Sequence, residues 1–109
     1  MLIVEDEPLL SMLLEDMLEE LGHGSPQICA TIGSALEALE SQSFDGVFVD
    51  LNLHSERADP VVADLKEKGI PFVITTGGIE DTVGLGALAL VSKPYRFTDI
   101  EQAVGKFLL

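Results

Sequence analysis

Polar side chains that could hold a cation or an oxyanion follow four short apolar runs of this 109-residue chain, LIV, VFV, FVI and LALV. Three carboxylates brought together repel one another and stay ionised only if a cation joins them, and oxygen ligands favour Mg²⁺. A lysine and a hydroxyl can hold an oxyanion beside them. The set would suit transfer of a phosphoryl group onto Asp50 by positioning and charge neutralisation. In chain order it comprises Glu5 and Asp6, Asp50, Thr75 and Thr76, and Ser92 and Lys93.

Each of these residues also has a structural explanation. Asp and Thr at a strand end often form turns or cap a helix, and loops carry polar residues by default. The functional interpretation therefore depends on whether all of them come to the same edge of one sheet.

The segments that would position these residues alternate between two patterns. The four apolar runs are too short for helices and lack polar alternation, which is typical of strands in a parallel sheet covered on both faces. Residues 27–30 are a weaker candidate strand. Amphipathic segments at residues 8–21, 32–39, 59–69 and 98–107 have apolar positions at helical spacing, with Thr98 as the expected N-cap of the last one. Residues 80–87 should form a helix by position, but Gly84 and Gly86 predict a short, frayed or mobile one.

Alternating strands and helices imply a parallel sheet with right-handed crossovers and helices on both faces. Five of each in this length predict a single α/β domain over residues 1–109, a flavodoxin-like three-layer (βα)5 fold with strand order 2-1-3-4-5. Ligands bind such sheets outside the carboxyl ends of the strands, at the point where strand order reverses. The first and third strands are neighbours there, so we expect Glu5, Asp6 and Asp50 to lie together.

The composition argues against several classes of function. The net charge of −13 does not suit direct binding to nucleic acid or anionic lipid, which needs clustered Lys and Arg. There is no run of about 18 apolar residues that would predict a membrane span, and the acidic start does not resemble a secretory signal. The single Cys29 is expected to be a small buried residue of the second strand, and a cytoplasmic location is expected.

Four motifs together, LIVEDEP, DGVFVDLNL, IPFVITTG and VSKPY, resemble the receiver domain of two-component response regulators. The resemblance covers essentially the whole chain, in the order of that family. It implies that Asp50 is the phosphoacceptor and that the reaction needs Mg²⁺. The metal ligands implied by the resemblance are Glu5, Asp6, Asp50 and the backbone carbonyl of Asn52.

The resemblance also assigns the residues that would respond to phosphorylation. Thr76, with Gly77 after it, matches the switch hydroxyl that closes on the phosphoryl group. Lys93, followed by Pro94, matches the lysine that pairs with the phosphate. Leu90 stands at the position of the relay residue, where the family usually has an aromatic side chain.

Partners follow from the same resemblance. In the family, a histidine kinase or a histidine phosphotransfer protein donates the phosphoryl group. A downstream protein then binds the face formed by the fourth helix, the fifth strand and the fifth helix. The chain departs from the usual pattern in its short segment between Thr76 and Lys93 and in His54, which stands where a proline often follows the acceptor.

Two other functions remain open from the sequence. A pseudo-receiver used only for docking would need none of the site residues, so their complete set argues against it. An aspartate-nucleophile phosphatase typically has its nucleophile after the first strand and a second Asp two positions later, whereas Asn52 stands there in this chain. We therefore expect a signalling switch that catalyses only its own phosphorylation and dephosphorylation. The sequence suits either a stand-alone regulator or one domain of a longer protein.

Overall fold

The computed structural model describes residues 1–77 and 84–107. None of the helices in those residues is long and apolar enough to cross a membrane. In chain order the elements are β1 (Leu2–Val4), α1 (Pro8–Glu20), β2 (Gln27–Cys29), α2 (Ile32–Ser41), β3 (Val47–Asp50), β4 (Asn52–Leu53), β5 (Glu56–Arg57), α3 (Asp59–Lys68), β6 (Phe72–Thr76), β7 (Leu90–Ser92) and α4 (Phe97–Phe107).

Five strands form one parallel sheet in the order β2-β1-β3-β6-β7. Because β6 and β7 are the fourth and fifth strands of the predicted sheet, the predicted order 2-1-3-4-5 and the flavodoxin-like α/β fold are confirmed. Ile3 of β1 lies opposite Ile28 of β2 and Phe48 of β3. The carboxyl ends of β1 and β3 are therefore adjacent, which is what the candidate site requires.

Both faces of the sheet are covered by helices. Successive side chains of a strand point to opposite faces, so an uninterrupted apolar run fits a strand that is buried on both sides. One apolar layer packs the sheet against α2 and α3, and the other packs it against α1 and α4. The sheet contributes Leu2, Val4, Cys29, Val47, Val49, Phe72 and Ile74 to the first layer and Ile3, Phe48, Val73 and Val91 to the second.

The helix boundaries agree with the sequence signals in part. Helix α1 begins at Pro8, and α3 ends at Lys68 with Gly69 as its C-cap, where φ is +68° and so suits glycine. The assignment of Thr98 as an N-cap is wrong, because α4 begins at Phe97 and Thr98 lies inside its first turn. Of the predicted helix at residues 80–87, residues 80–83 lie outside the described residues, and residues 84–87 are not helical.

A small antiparallel hairpin of β4 and β5 follows directly after the central strand β3, and the sequence did not predict it. Its two-residue turn consists of His54 and Ser55, with φ +47° and +68°. A turn of this kind needs positive φ at both central positions, for which Asn and Gly are preferred. The hairpin therefore holds two side-chain-bearing residues in the left-handed region, beside the carboxyl edge of the sheet.

Candidate functional site

Three carboxylates lie together at the carboxyl edge of the sheet. Glu5 and Asp6 follow β1, and Asp50 is the last residue of β3. One side-chain oxygen from each lies within 4.8 Å of the others. Glu5 and Asp50 are only 2% and 3% exposed, whereas Asp6 is partly exposed, so the cluster reaches solvent through Asp6. The structure thus brings together the three side chains that the sequence predicted as metal ligands.

The Lys93 ammonium group bridges two of these carboxylates. Its Nζ lies 2.7 Å from Asp50 Oδ2 and 2.8 Å from Glu5 Oε1. Burial alone would lower the pKa of Lys93, but Asp50 and Glu5 outweigh it and raise the pKa above its ordinary value. Lys93 therefore stays charged. With Asp6 included, one lysine faces three acids, and a further cation would reduce their mutual repulsion.

Asp50 has a hydrogen-bond donor on each of its carboxylate oxygens. Lys93 donates to Oδ2, and the backbone N–H of Asn52 donates to Oδ1 at 3.1 Å. Asn52 is the first residue of the hairpin and is itself exposed. The structure therefore places the Asn52 backbone N–H on the Asp50 carboxylate, whereas the ligand predicted from the sequence is the Asn52 carbonyl.

The tip of the hairpin holds Asp6. The backbone N–H of His54 donates to Asp6 Oδ2 at 3.0 Å, and the Nδ1 atom of its ring lies 3.6 Å from the same oxygen. Burial raises the pKa of Asp6, but the hydrogen bonds from His54 and Glu5 outweigh burial and lower the pKa below its ordinary value. The His54 side chain is 63% exposed, as expected for a residue in a solvated loop.

Glu5 is the most enclosed of the three carboxylates. Its Oε1 accepts from Lys93 and, at 3.0 Å, from the hydroxyl of Tyr95, while its Oε2 accepts from the backbone N–H of Glu7 at 3.2 Å. Burial is the largest influence and raises the pKa of Glu5 to about 7; Lys93 opposes this effect, and Asp50 adds to it. A cation placed here would favour the ionised form of Glu5.

The predicted phosphate-binding residues are neighbours at the same edge. Thr76 is the last residue of β6, and its carbonyl accepts from the backbone N–H of Lys93 at 2.8 Å. Gly77 lies against the stem of Lys93, since a Cβ atom at Gly77 would be 3.7 Å from Lys93 Cδ. The Lys93–Pro94 peptide is cis. Thr76 and Gly77 therefore lie beside Lys93, whose ammonium group contacts Asp50.

Leu90 and Tyr95 differ most from the sequence-based picture. Leu90 begins β7 opposite Ile74 and is 57% exposed, so the predicted relay residue lies on the surface and outside the carboxylate cluster. Sequence reasoning missed Tyr95, whose hydroxyl contacts Glu5 and lies 3.4 Å from Thr75 Oγ1. The available signal was the motif VSKPY, which puts Tyr95 two residues after Lys93.

The donor set suits a small, hard divalent cation. Mg²⁺ prefers oxygen ligands, needs only one or two carboxylates and keeps several waters. The cluster offers oxygens from Glu5, Asp6 and Asp50, and the partial exposure of Asp6 leaves an aqueous side. The residues present therefore fit Mg²⁺.

The sequence matches a family model described as the response regulator receiver domain over residues 1–105. The Sensory transduction protein LytR of Staphylococcus haemolyticus is 34% identical, in a match that covers 96% of this chain and 43% of that protein. The Transcriptional regulatory protein LytR of Staphylococcus aureus strain N315 is 32% identical, with 96% of this chain and 45% of that protein covered. The chain therefore spans less than half the length of these curated relatives.

Solved structures with the same fold cover nearly the whole chain. The solution structure of SdrG from Sphingomonas melonis Fr1 is 36% identical with a TM-score of 0.84, and the match covers 99% of this chain and 94% of that one. The receiver domain of the PhyR response regulator from Erythrobacter litoralis is 30% identical with a TM-score of 0.85, covering 98% of this chain and 87% of that one.

Proposed function

The chain belongs to the response regulator receiver domain family, and we propose that it accepts a phosphoryl group on Asp50 in a Mg²⁺-dependent reaction. The observation that carries the proposal is the surroundings of Asp50. This buried carboxylate has one cation, Lys93, at 2.7 Å and two further carboxylates, Glu5 and Asp6, beside it. A purely structural aspartate would need only its lysine, and added buried acids would destabilise the fold unless a cation joined them.

In the proposed reaction, a carboxylate oxygen of Asp50 forms a bond to phosphorus while the bond between phosphorus and a histidine nitrogen of the donor breaks. The donor is a histidine kinase or a histidine phosphotransfer protein, and its imidazole leaves and takes up a proton from water. Lys93 pairs with a phosphoryl oxygen as a point charge, and the Thr76 hydroxyl donates a hydrogen bond to another. Catalysis then comes from positioning and charge neutralisation.

The proposed metal ligands are the three carboxylates and the backbone carbonyl of Asn52. Bound Mg²⁺ would supply neutralisation of the charge on the phosphoryl oxygens. The chain itself orients two of these carboxylates through backbone hydrogen bonds: the His54 N–H donates to Asp6, and the Asn52 N–H donates to Asp50.

The proposed output is a change in partner binding on the face that contains β7 and α4. Lys93 directly follows β7, so a new bond to the phosphoryl group would act on the end of that strand. A groove of about 450 Å³ lies between β7 and α4 and is lined by residues that include Leu90, Arg96 and Lys106. The solved structures of SdrG, 36% identical with a TM-score of 0.80, include a BeF3-activated conformation, which supports a switch in a related domain.

The proposal is tested by intact-protein mass spectrometry after incubation with MgCl₂ and acetyl phosphate. We expect the wild-type protein to gain the mass of one phosphoryl group and the Asp50→Asn variant to gain none. The Asp45→Asn variant, which changes an exposed aspartate near the start of β3, serves as the matched control and should be labelled like wild type. Chelation of Mg²⁺ should abolish the labelling.

Two outcomes would contradict phosphorylation of Asp50. Equal labelling of wild type and Asp50→Asn would place the phosphoryl group elsewhere. Absence of labelling even with a cognate histidine kinase would favour a docking module that is not phosphorylated.

A further inference from the structure

The Tyr95 hydroxyl reaches the carboxylate cluster from the apolar layer between the sheet and helices α1 and α4. The residue is 6% exposed, and its Oη atom lies 3.0 Å from Glu5 Oε1 and 3.4 Å from Thr75 Oγ1. Burial raises the pKa of Tyr95 above its ordinary value, so the hydroxyl keeps its proton at neutral pH. It is therefore a permanent hydrogen-bond donor within the site.

This hydroxyl has one proton and two neighbouring oxygen atoms. A phenol can donate to only one acceptor at a time. Glu5 Oε1 is the nearer acceptor and can carry charge, which makes hydrogen bonds shorter and stronger. The Thr75 hydroxyl can in turn direct its own proton to the Tyr95 oxygen. Tyr95 is thus held between a residue of β6 and the acid that follows β1.

The three donors to Glu5 differ in how firmly they are fixed. The Lys93 ammonium is at the end of a flexible stem, and in the proposed reaction it turns to a phosphoryl oxygen. The Glu7 N–H is part of the backbone and acts on Oε2, and the Tyr95 hydroxyl is part of a packed ring and acts on Oε1. Tyr95 is therefore the donor that remains on the oxygen from which Lys93 departs.

We infer that Tyr95 is a positioning residue of the proposed metal site, whose hydroxyl keeps the Glu5 carboxylate oriented toward a divalent cation and continues to do so when Lys93 engages the phosphoryl group. The inference rests on the proposed role of Glu5 in binding Mg²⁺. Tyr95 does not itself contact the cation; it acts through Glu5. Residues that orient a ligand in this way typically contribute about 10- to 100-fold to metal affinity.

The Tyr95→Phe variant tests this role because it removes one oxygen atom and keeps the ring. Isothermal titration calorimetry with MgCl₂ and no phosphodonor measures the affinity directly. We expect the Kd for Mg²⁺ to rise by about 10- to 100-fold. The matched control is Ser11→Ala, which removes another buried hydroxyl, one that donates to the Pro8 carbonyl. It should leave the Kd unchanged even where it lowers the stability.

A double-mutant cycle separates positioning from a general structural role. In a Glu5→Gln background, Tyr95→Phe should weaken Mg²⁺ binding no further, because the residue through which it acts is already changed. An unchanged Kd in the single Tyr95→Phe variant, an equal loss in both backgrounds, or no Mg²⁺ binding by the wild-type protein would overturn the inference.

The outcome of the Mg²⁺ titration is independent of the outcome of the phosphorylation test. Labelling of Asp50 together with an unchanged Mg²⁺ affinity in Tyr95→Phe would leave the proposed function standing and remove the role of Tyr95. The expected loss of Mg²⁺ affinity without labelling of Asp50 would support the role of Tyr95 and contradict only the phosphoryl transfer.

Discussion

At the scale of single residues, Glu5 is subject to opposing influences. Burial disfavours its charge, the nearby Asp50 also disfavours it, and Lys93 favours it; burial dominates and the pKa rises to about 7. The protein tolerates the burial of Glu5 beside Asp50 because protonation of Glu5 relieves the repulsion between the two carboxylates whenever no cation is bound. Occupation of the proposed metal site and the protonation of Glu5 are therefore linked.

The linkage predicts how the stability of the metal-free protein depends on pH. The pKa of Glu5 is about 7 in the folded state and 4.5 for the ordinary group, so between these values the folded state binds more protons than the unfolded state. The free energy of unfolding contributed by Glu5 must then fall as the pH rises through this window, by on the order of 1 to 3 kcal/mol. Urea unfolding at a series of pH values without Mg²⁺ measures it.

Two comparisons isolate Glu5 in that measurement. The Glu5→Gln variant should show a smaller decrease in the free energy of unfolding as the pH rises. The Glu37→Gln variant, which changes an exposed acid on α2, should show the same decrease as wild type. Saturating Mg²⁺ should also remove this decrease with pH in the wild-type protein, because a bound cation favours the ionised carboxylate. Equal pH dependence in wild type and Glu5→Gln would contradict the account.

At the scale of elements, the hairpin of β4 and β5 joins strand β3, which ends at Asp50, to Asp6, the most exposed of the three carboxylates. It starts two residues after Asp50, and its tip donates a hydrogen bond to Asp6. The turn residues His54 and Ser55 have positive φ, which costs a non-glycine residue about 1 to 2 kcal/mol. The conformation of this turn should therefore influence both the stability of the fold and the geometry of the proposed metal site.

Two substitutions at Ser55, where φ is +68°, should have opposite effects. Ser55→Gly relieves the conformational cost, whereas Ser55→Val puts a β-branched side chain where such residues are strongly disfavoured. We expect the free energy of unfolding to be higher for the Gly variant than for the Val variant by about 1 to 3 kcal/mol. The Val variant should also bind Mg²⁺ more weakly, because displacement of the turn removes the His54 donor from Asp6.

Urea unfolding and Mg²⁺ titration of the two Ser55 variants provide the check. Ser43→Gly, a change at an exposed position before β3 without positive φ, controls for the general effect of introducing glycine. Equal stability of the Gly and Val variants would show that the turn does not hold this conformation in solution.

The sheet and the carboxylate cluster were predictable for a common reason. An apolar run without alternation indicates a strand covered on both faces, and parallel strands end at one edge. The residues after each run, among them Glu5, Asp50 and Lys93, could therefore be placed together from their positions alone. The distances between them confirm that placement.

Other features depended on interactions that no local pattern encodes. The hairpin has strands of two residues, too short for a repeating hydrophobic pattern, and its His54-Ser55 turn lacks the Asn or Gly that would indicate it. Thr98 has the right type for a cap, but α4 begins one residue earlier. Tyr95 contacts Glu5 across 90 positions of sequence, with its ring packed in the apolar layer between the sheet and helices α1 and α4.

At the scale of the whole molecule, the acids greatly outnumber the bases. The net charge is −13, carried by a body with extents of 31 × 29 × 27 Å. Self-repulsion of this kind destabilises the compact state, and salt weakens it because the Debye length is only about 10 Å at 0.1 M. A simple salt such as NaCl should therefore stabilise the protein by screening, and binding of Mg²⁺ at the cluster should add a contribution of its own.

General screening and specific Mg²⁺ binding predict two distinct salt effects on thermal unfolding. NaCl should raise Tm gradually through screening. MgCl₂ at equal ionic strength should raise Tm further because it binds the folded state, which increases the free energy of unfolding by about 2.7 kcal/mol when the Mg²⁺ concentration is 100 times the Kd. Asp6→Asn should abolish the additional effect of Mg²⁺ but keep the response to NaCl. Asp16→Asn, on the exposed side of α1, removes the same single charge from the net −13 and should keep both effects. If Asp6→Asn retained the full response to Mg²⁺, the cation would be acting through the diffuse charge of the surface and not through the carboxylates at the sheet edge.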